Sequence, residues 1–417
     1  MSAPGLSRRL GLGDAVFIGL GSMIGAGVFA AFGPAAGAAG SGLLIGLAVA
    51  AIVAFGNATS SAQLAAVHPM SGGTYAYGRA ELGPWWGFIA GWGFVIGKTA
   101  SCAAMALTFA AYAAPPGWEK PVAILAVVAL VTVNWFGVTR TAQLTRIIVV
   151  VVLLTLAIAV AAGFAAPDAP GWLSADALWA DGWYGILQSA GLLFFAFAGY
   201  ARIATMGEEV RDPARTIPRA IVLAFLGALV VYTAVAFAVL SALGPDATAA
   251  STEPVAAAVA ASGWQWAEPV VRVGAAAASL GALLALIAGI GRTSFAMARE
   301  GDLPRYLAAV HPRWHVPHRA ELTLGIVVVV LVSLVDLRGA IGFSSFGVLL
   351  YYLVANIAAF RQRADVRRYP RALQIVGGVG CVVLVVTLPW QAVAIGAGII
   401  VIGVVYRAVR LRLTRAA

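Results

Sequence analysis

Apolar runs of about 20 residues recur from one end of the chain to the other, parted by short polar stretches, and each is long enough to cross a bilayer as a helix. The pattern predicts twelve spans, at 13–32, 40–64, 86–113, 121–138, 143–165, 184–206, 217–243, 270–298, 320–336, 339–360, 372–389 and 391–408. Two of them depart from the uniform pattern. The first contains Gly21-Ser22-Met23-Ile24-Gly25-Ala26-Gly27, three glycines in seven residues between the apolar pairs Phe17-Ile18 and Val28-Phe29. Each Gly costs a helix interior about 1 kcal/mol relative to Ala, so an interruption is predicted there. The sixth contains Phe194-Phe195-Ala196-Phe197-Ala198-Gly199-Tyr200, with Gly191 before it and Gly207 after it. A helix broken at membrane depth bares N–H and C=O groups that lipid cannot satisfy, and it persists only where it lines a protein-bounded cavity.

Breaks in spans one and six divide the chain into two five-span halves, and an odd number of spans inverts the second half relative to the first. The expected architecture is an all-α polytopic membrane protein of twelve transmembrane helices with a 5+5 inverted repeat. Residues 1–165 carry the break at 21–27, residues 184–360 carry the break at 194–200, and residues 372–417 add two helices and a tail. The breaks would face one another at the midplane, where freed amides attract an anion and freed carbonyls a cation. An amino acid zwitterion carries one of each. Gly21 and Gly25 also have the spacing of close helix packing; the matching irregularity in the sixth span favours the break. Gly19-Leu20-Gly21 followed by Gly25 imitates a dinucleotide-binding turn only superficially, because that turn follows a strand.

Composition leaves no room for a soluble domain: 61% of the 417 residues are hydrophobic and 11% are charged. A net charge of +10 would suggest nucleic acid in a soluble protein, but its distribution says otherwise. With a cytoplasmic N-terminus, one side collects Arg8, Arg9, Arg79, Arg140, Arg146, the Arg211–Arg219 group, Arg299 to Arg319, Arg361 to Arg371 and the basic tail. The other side holds Asp168, Asp176, Asp181, Asp246, Glu253 and Glu268. This is the positive-inside pattern, with both termini cytoplasmic and no nucleic acid partner. The first span lacks a small-residue cleavage pattern and is not read as a signal peptide. Trp85, Trp86, Trp118, Trp179, Trp183, Trp264 and Trp266 fall at span ends, where their rings anchor in membrane lipid. Cys102 and Cys381 lie within spans and support neither a disulfide framework nor a metal site. Abundant Ala and Arg with only two Lys suggest a high-GC bacterium, and so an inner membrane.

Three further stretches carry recognisable patterns. They are Pro69-Met70-Ser71-Gly72-Gly73-Thr74-Tyr75-Ala76-Tyr77, Glu208-Glu209-Val210-Arg211-Asp212-Pro213-Ala214-Arg215-Thr216-Ile217-Pro218, and Arg292-Thr293-Ser294-Phe295-Ala296-Met297-Ala298-Arg299-Glu300-Gly301-Asp302-Leu303-Pro304. With the glycine-rich first span, in this order and spacing, the chain from about residue 10 to 360 resembles the amino acid permeases of the amino acid–polyamine–organocation (APC) superfamily. The resemblance implies the inverted-repeat fold shared with sodium-coupled neurotransmitter symporters. It implies a substrate site built from Ser22, Met23, Ile24, Gly25, Ala26 and Gly27 of the first span and Phe194, Phe195, Phe197, Ala198, Gly199 and Ala201 of the sixth. The carboxylate would rest on the amides of Gly25, Ala26 and Gly27, and the α-amine on the carbonyls of Met23, Phe195 and Ala198, with Phe195 as an aromatic lid. Many relatives have Ser or Thr where this chain has Ala26, so a hydroxyl contact is missing unless Ser22 supplies it.

Two cations lie inside spans. Lys98, in Gly97-Lys98-Thr99, is about 18 Å of helix from Trp85-Trp86, near the middle of a ~30 Å core. An ammonium out of water sheds its proton more easily than one in water. Lys98 is therefore read as a fixed charge in place of sodium, as a proton carrier, or as a structural cation capped by carbonyls of the first span. Arg202 stands where several cation-selective relatives carry an acid near the Gly199-Tyr200 pair, which disfavours cationic substrates. It is read as a coupling residue, or as one paired with a neighbouring helix or snorkelling to the vestibule. The eighth span offers only Ala, Leu, Ile and Gly side chains between Ser279 and Arg292, a poor set for sodium. His68, His311, His315 and His318 are expected in solvated loops. No phosphate-binding loop and no catalytic constellation is present, so no enzyme and no cofactor is expected. The expected function is secondary active transport of small neutral amino acids by alternating access, coupled to protons. Exchange or export by the same fold, or nutrient sensing, are the alternatives.

Overall fold

The computed structural model describes residues 10–69, 72–137, 142–204, 206 and 209–416. Arg8, Arg9, Met70, Ser71, Arg140, Gly207 and Glu208, which figure in the sequence patterns, lie outside the described residues. In chain order the helices are α1 (Leu12–Met23), α2 (Ala26–Ala30), α3 (Phe32–Ala39), α4 (Leu43–Val67), α5 (Gly73–Leu82), α6 (Pro84–Ala113), α7 (Glu119–Trp135), α8 (Ala142–Ala165) and α9 (Ala175–Trp179). They continue as α10 (Gly182–Phe197), α11 (Ala201–Ala204), α12 (Pro213–Ala250), α13 (Pro254–Ala261), α14 (Ala267–Arg299), α15 (His318–Leu334), α16 (Leu337–Arg361), α17 (Arg371–Thr387) and α18 (Trp390–Ala416). Pro84, Pro213 and Pro254 each open a helix, where a missing N–H costs nothing and the fixed φ helps.

The described residues of the predicted spans are largely helical. Among the described residues, nine helical stretches are long and apolar enough to cross a membrane. The fourth, ninth and eleventh predicted spans correspond to α7, α15 and α17, of 17 residues each, about 25 Å against a ~30 Å core. This is an all-α polytopic membrane protein. Its centre and periphery differ in burial: the most apolar windows of α6, the α10–α11 stretch and α16 are 72%, 78% and 72% buried, and that of α18 only 22%. Large apolar side chains such as Leu125, Leu154, Val230 and Leu334 are exposed on the outer faces, as a lipid-facing surface requires. At the centre, α6 runs along α16 and α14, and α10 runs along α4 and α3.

At one end, the chain just before α1 pairs with the chain after α11: the Leu10 amide donates to the Glu209 carbonyl at 3.1 Å, and the Arg211 amide to the Leu10 carbonyl at 2.9 Å. The outer ends of the two interrupted helices are thus tied together. The short helix α5 lies across the same end, where Tyr77 Oη donates to the Ala204 carbonyl at 2.9 Å. Tyr75 Oη (2.9 Å), Arg79 Nη1 (3.0 Å) and Arg407 all donate to the buried Asp302. Burial, reinforced by the Asp302 carboxylate, pushes the Tyr75 phenol well above its ordinary value, so it stays a donor. At the opposite end Arg272 grips Glu253 through both terminal nitrogens at 2.7 Å and Glu268 at 2.9 Å. Two of the acids on the acidic side of the sequence pattern thus share one arginine. The histidines also differ from expectation. His311 and His318 stack edge-on against Trp135 at 5.7 and 5.2 Å, and His68 Nε2 is 2.8 Å from Glu81 Oε1, so three of the four are half-buried against specific neighbours.

Candidate substrate site

The first predicted break is a true one, and it is narrower than the glycine-rich stretch. Gly21 remains helical; α1 stops at Met23, Ile24 (φ −79°, ψ 56°) and Gly25 (φ −104°, ψ −138°) leave the helix, and α2 starts at Ala26. The second irregularity is milder. Phe194, Phe195 and Phe197 all belong to α10, and only Ala198–Tyr200 tighten into a single 3₁₀ turn before α11. With Gly199 as the lone glycine from Leu192 to Met206, the Ala- and Phe-rich run keeps its helical path and merely tightens it.

The two stretches touch. A Cβ on Gly27 would stand 2.6 Å from Ala196 Cα, and one on Gly199 would collide with the Ser22 carbonyl, so glycine is what permits the crossing. Met23 to Phe32 are buried throughout. Tyr232 of α12, 1% exposed, spans the junction: its Oη is 2.7 Å from the Met23 carbonyl and 2.9 Å from the Ala196 carbonyl. A phenol has one proton, which these two acceptors share. The Gly25 amide also donates to the Met23 carbonyl, at 2.8 Å. Near the 3₁₀ turn, Lys98 Nζ donates to the Ala198 carbonyl at 3.1 Å, and Tyr352 Oη of α16 donates to the same oxygen at 3.3 Å.

These bonds reassign several expected roles. Gly25's amide is already committed, leaving Ala26 and Gly27 as the first-turn amides of α2 with no acceptor within the helix. Ser22 does not supply the missing hydroxyl, because its Oγ donates back to the Ile18 carbonyl at 2.8 Å. The carbonyls of Met23 and Ala198 each accept two hydrogen bonds, which fills both lone pairs. Lys98 is capped by the sixth span, not the first. Phe197 packs on Phe225 and Tyr232 at 5.5 and 5.0 Å and Phe194 on Tyr352 at 5.9 Å, whereas Phe195 keeps 7% exposure. Ala201 and Arg202 open α11, and among the described residues Glu209 and Arg292 are charged groups within electrostatic reach of Arg202. Tyr232, Tyr352 and Tyr112, whose Oη donates to the Phe29 carbonyl at 2.8 Å, were not singled out from the sequence. A signal existed, since a lone hydroxyl in an apolar span has to find an acceptor inside the protein.

A family model described as "Amino acid permease" matches residues 10–409, nearly the whole chain. The chain belongs to the amino acid permease family. The permease is 58% identical over 99% of its length to an uncharacterized transporter of Mycobacterium tuberculosis, of which it covers 93%. It is 28% identical to the branched-chain amino acid permease BcaP of Bacillus subtilis, with 93% of this chain and 90% of that one aligned. A chloroplastic cationic amino acid transporter of Arabidopsis thaliana is 27% identical over 88% of this permease and 67% of its own length. The permease is accordingly a transporter of the APC superfamily and not an enzyme.

Proposed function

We propose that this permease is a secondary active transporter of small neutral amino acids, working by alternating access between two inverted five-helix halves, with its substrate at the crossing of the interrupted helices. The Ala198 carbonyl carries the reading. Lys98 and Tyr352 occupy both of its lone pairs, so an incoming α-ammonium has to displace Lys98 to reach it. An ammonium stripped of its acceptor in a dry site is costly, and the displaced Lys98 releases its proton, which links amino acid binding to proton movement. The substrate carboxylate rests on the amides of Ala26 and Gly27 at the positive end of α2, and Phe195 covers it. The branched-chain specificity in the name of the Bacillus relative supports a neutral aliphatic substrate, as do the two cations Arg202 and Arg292 beside α11. The absence of oxygen-bearing side chains between Ser279 and Thr293 supports sodium independence. The arginine distribution supports a bacterial inner membrane with both termini cytoplasmic.

Uptake of labelled branched-chain amino acids into proteoliposomes, with and without an outward proton gradient, tests this, because a proton released as substrate binds makes the two compete for one site. The parent should accumulate substrate on the gradient, and Lys98→Ala should lose accumulation while keeping counterflow. Flux only into preloaded vesicles, unchanged by Lys98→Ala, would make the permease an exchanger and Lys98 structural. Binding without any flux would make it a sensor.

A further inference from the structure

We propose that the groove between α16 and α17 is a binding site for one anionic phospholipid of the leaflet that faces the 361–371 loop. The groove is a cavity of about 460 Å³, with Leu353 and Phe360 of α16 on one wall and Gln374, Gly378 and Val382 of α17 on the other. Its deepest lining residue, Val383, lies twelve residues along α17 from Arg371, about 18 Å at 1.5 Å per residue. One leaflet of a ~30 Å hydrocarbon core is about 15 Å deep, so the slot has the length of one acyl chain.

Its mouth is basic. Arg361, Arg363, Arg367, Arg368 and Arg371 stand within eleven residues against the single acid Asp365, the composition by which juxtamembrane segments recognise anionic headgroups. Arg363 is paired with Asp365 at 3.3 Å, and Arg368 donates to the Ala214 carbonyl at 2.8 Å. Arg371 is exposed, and its guanidinium lies 4.9 Å over the ring of Phe360, which is itself part of the groove wall. A phosphate on Arg371 therefore puts its acyl chain directly into the slot.

One polar group in the wall points to the same ligand. Gln374 is 2% exposed, yet neither atom of its amide has a hydrogen-bond partner. A bare amide away from water costs about 1–3 kcal/mol. Gln374 lies one turn below Arg371, at the level of a phospholipid's ester linkages when the phosphate sits on Arg371, and a turn of its side chain into the slot brings its N–H groups to an ester carbonyl. The slot is open at Gly378, which has no side chain; a Cβ there would stand in ordinary contact, 3.6 Å from Asn356 Cβ and 3.9 Å from Leu353 Cδ1.

That spacing also supplies the test, because Gly378→Leu fills the slot without a clash in the first atom added. Native mass spectrometry of the full chain, from micelles doped with phosphatidylglycerol or phosphatidylethanolamine, counts and identifies the bound lipid by mass. The parent should retain one phosphatidylglycerol in preference to phosphatidylethanolamine. Gly378→Leu should lose it, and Arg371→Gln should weaken retention about fivefold, the effect of one basic side chain at an anionic surface. Arg412→Gln, which removes the same charge from the α18 tail, should change nothing. Equal losses in Arg371→Gln and Arg412→Gln with full retention in Gly378→Leu would reduce the effect to surface charge and overturn the proposal. No preference for the anionic lipid, or a dimer that forms in the parent and is lost in Gly378→Leu, would overturn it as well.

Discussion

The two interruptions at the centre of this permease solve one problem in opposite ways. The first is a real gap between α1 and α2, and neutral donors satisfy the carbonyl it bares: the Gly25 amide and the Tyr232 phenol meet at Met23. The second is a single 3₁₀ turn that never leaves the helical path, and its Ala198 carbonyl is held by a cation, Lys98, with Tyr352 in support. Neutral donors hold the first carbonyl and a cationic one holds the second, so under the proposed mechanism it is the second that a competing ammonium would disturb. The difference follows from the residues: paired glycines permit a gap, while Ala and Phe around one glycine tighten a helix without breaking it.

The comparison can be broken most severely at the crossing itself. Gly199→Val drives side-chain carbons into the Ser22 carbonyl, and overpacking of this kind costs about 1–3 kcal/mol. Counterflow should fall to background while the protein still melts cooperatively. Parental counterflow would mean that the two stretches need not approach so closely for transport. Tyr232→Phe is the next largest change, because one deletion strips a shared donor from both interruptions. A loss of about 1–3 kcal/mol in thermal stability is expected, with a KM roughly tenfold higher for a cost near 1.4 kcal/mol. A stability loss at unchanged KM would make Tyr232 a packing residue alone.

Tyr352→Phe sharpens the contrast through its sign. It removes the 3.3 Å bond to Ala198 and leaves Lys98 in place, so the destabilisation should be about 1 kcal/mol or less. It also vacates a lone pair for the substrate ammonium, so KM should fall severalfold; a rise in KM would count against Ala198 as the amine acceptor. Arg272→Gln, at the far end, should have the smallest effect. Its partners Glu253 and Glu268 are part-exposed, and pairs of that kind contribute about 1 kcal/mol or less. A small drop in melting temperature without a change in KM is the expected outcome.

Much of this is legible in the amino-acid sequence. Hydrocarbon is an unforgiving solvent, and apolar runs of the right length with arginines on one side admit few readings other than a bundle of membrane helices. The glycine-rich stretch marked the first gap for the same reason, and the motifs around Gly72-Gly73, Glu209 and Asp302 pointed to the family. In the sixth span the structure shows a single 3₁₀ turn at Ala198–Tyr200 in place of the break expected over 194–200, because one glycine among Ala and Phe tightens a helix without opening it.

What the chain alone determined, then, was its solvent, its spans and the place where helix one gives way, since these follow from local composition and from the cost of bare backbone in lipid. Only the tertiary structure decided which donors reach which carbonyls. Ser22 turned back on its own helix, Lys98 reached Ala198 and not the first span, and Tyr232, 209 residues beyond Met23, bridged both stretches. A hydrogen bond needs donor and acceptor within a few tenths of an ångström of about 2.9 Å, and groups far apart in sequence meet that tolerance only once the helices have packed.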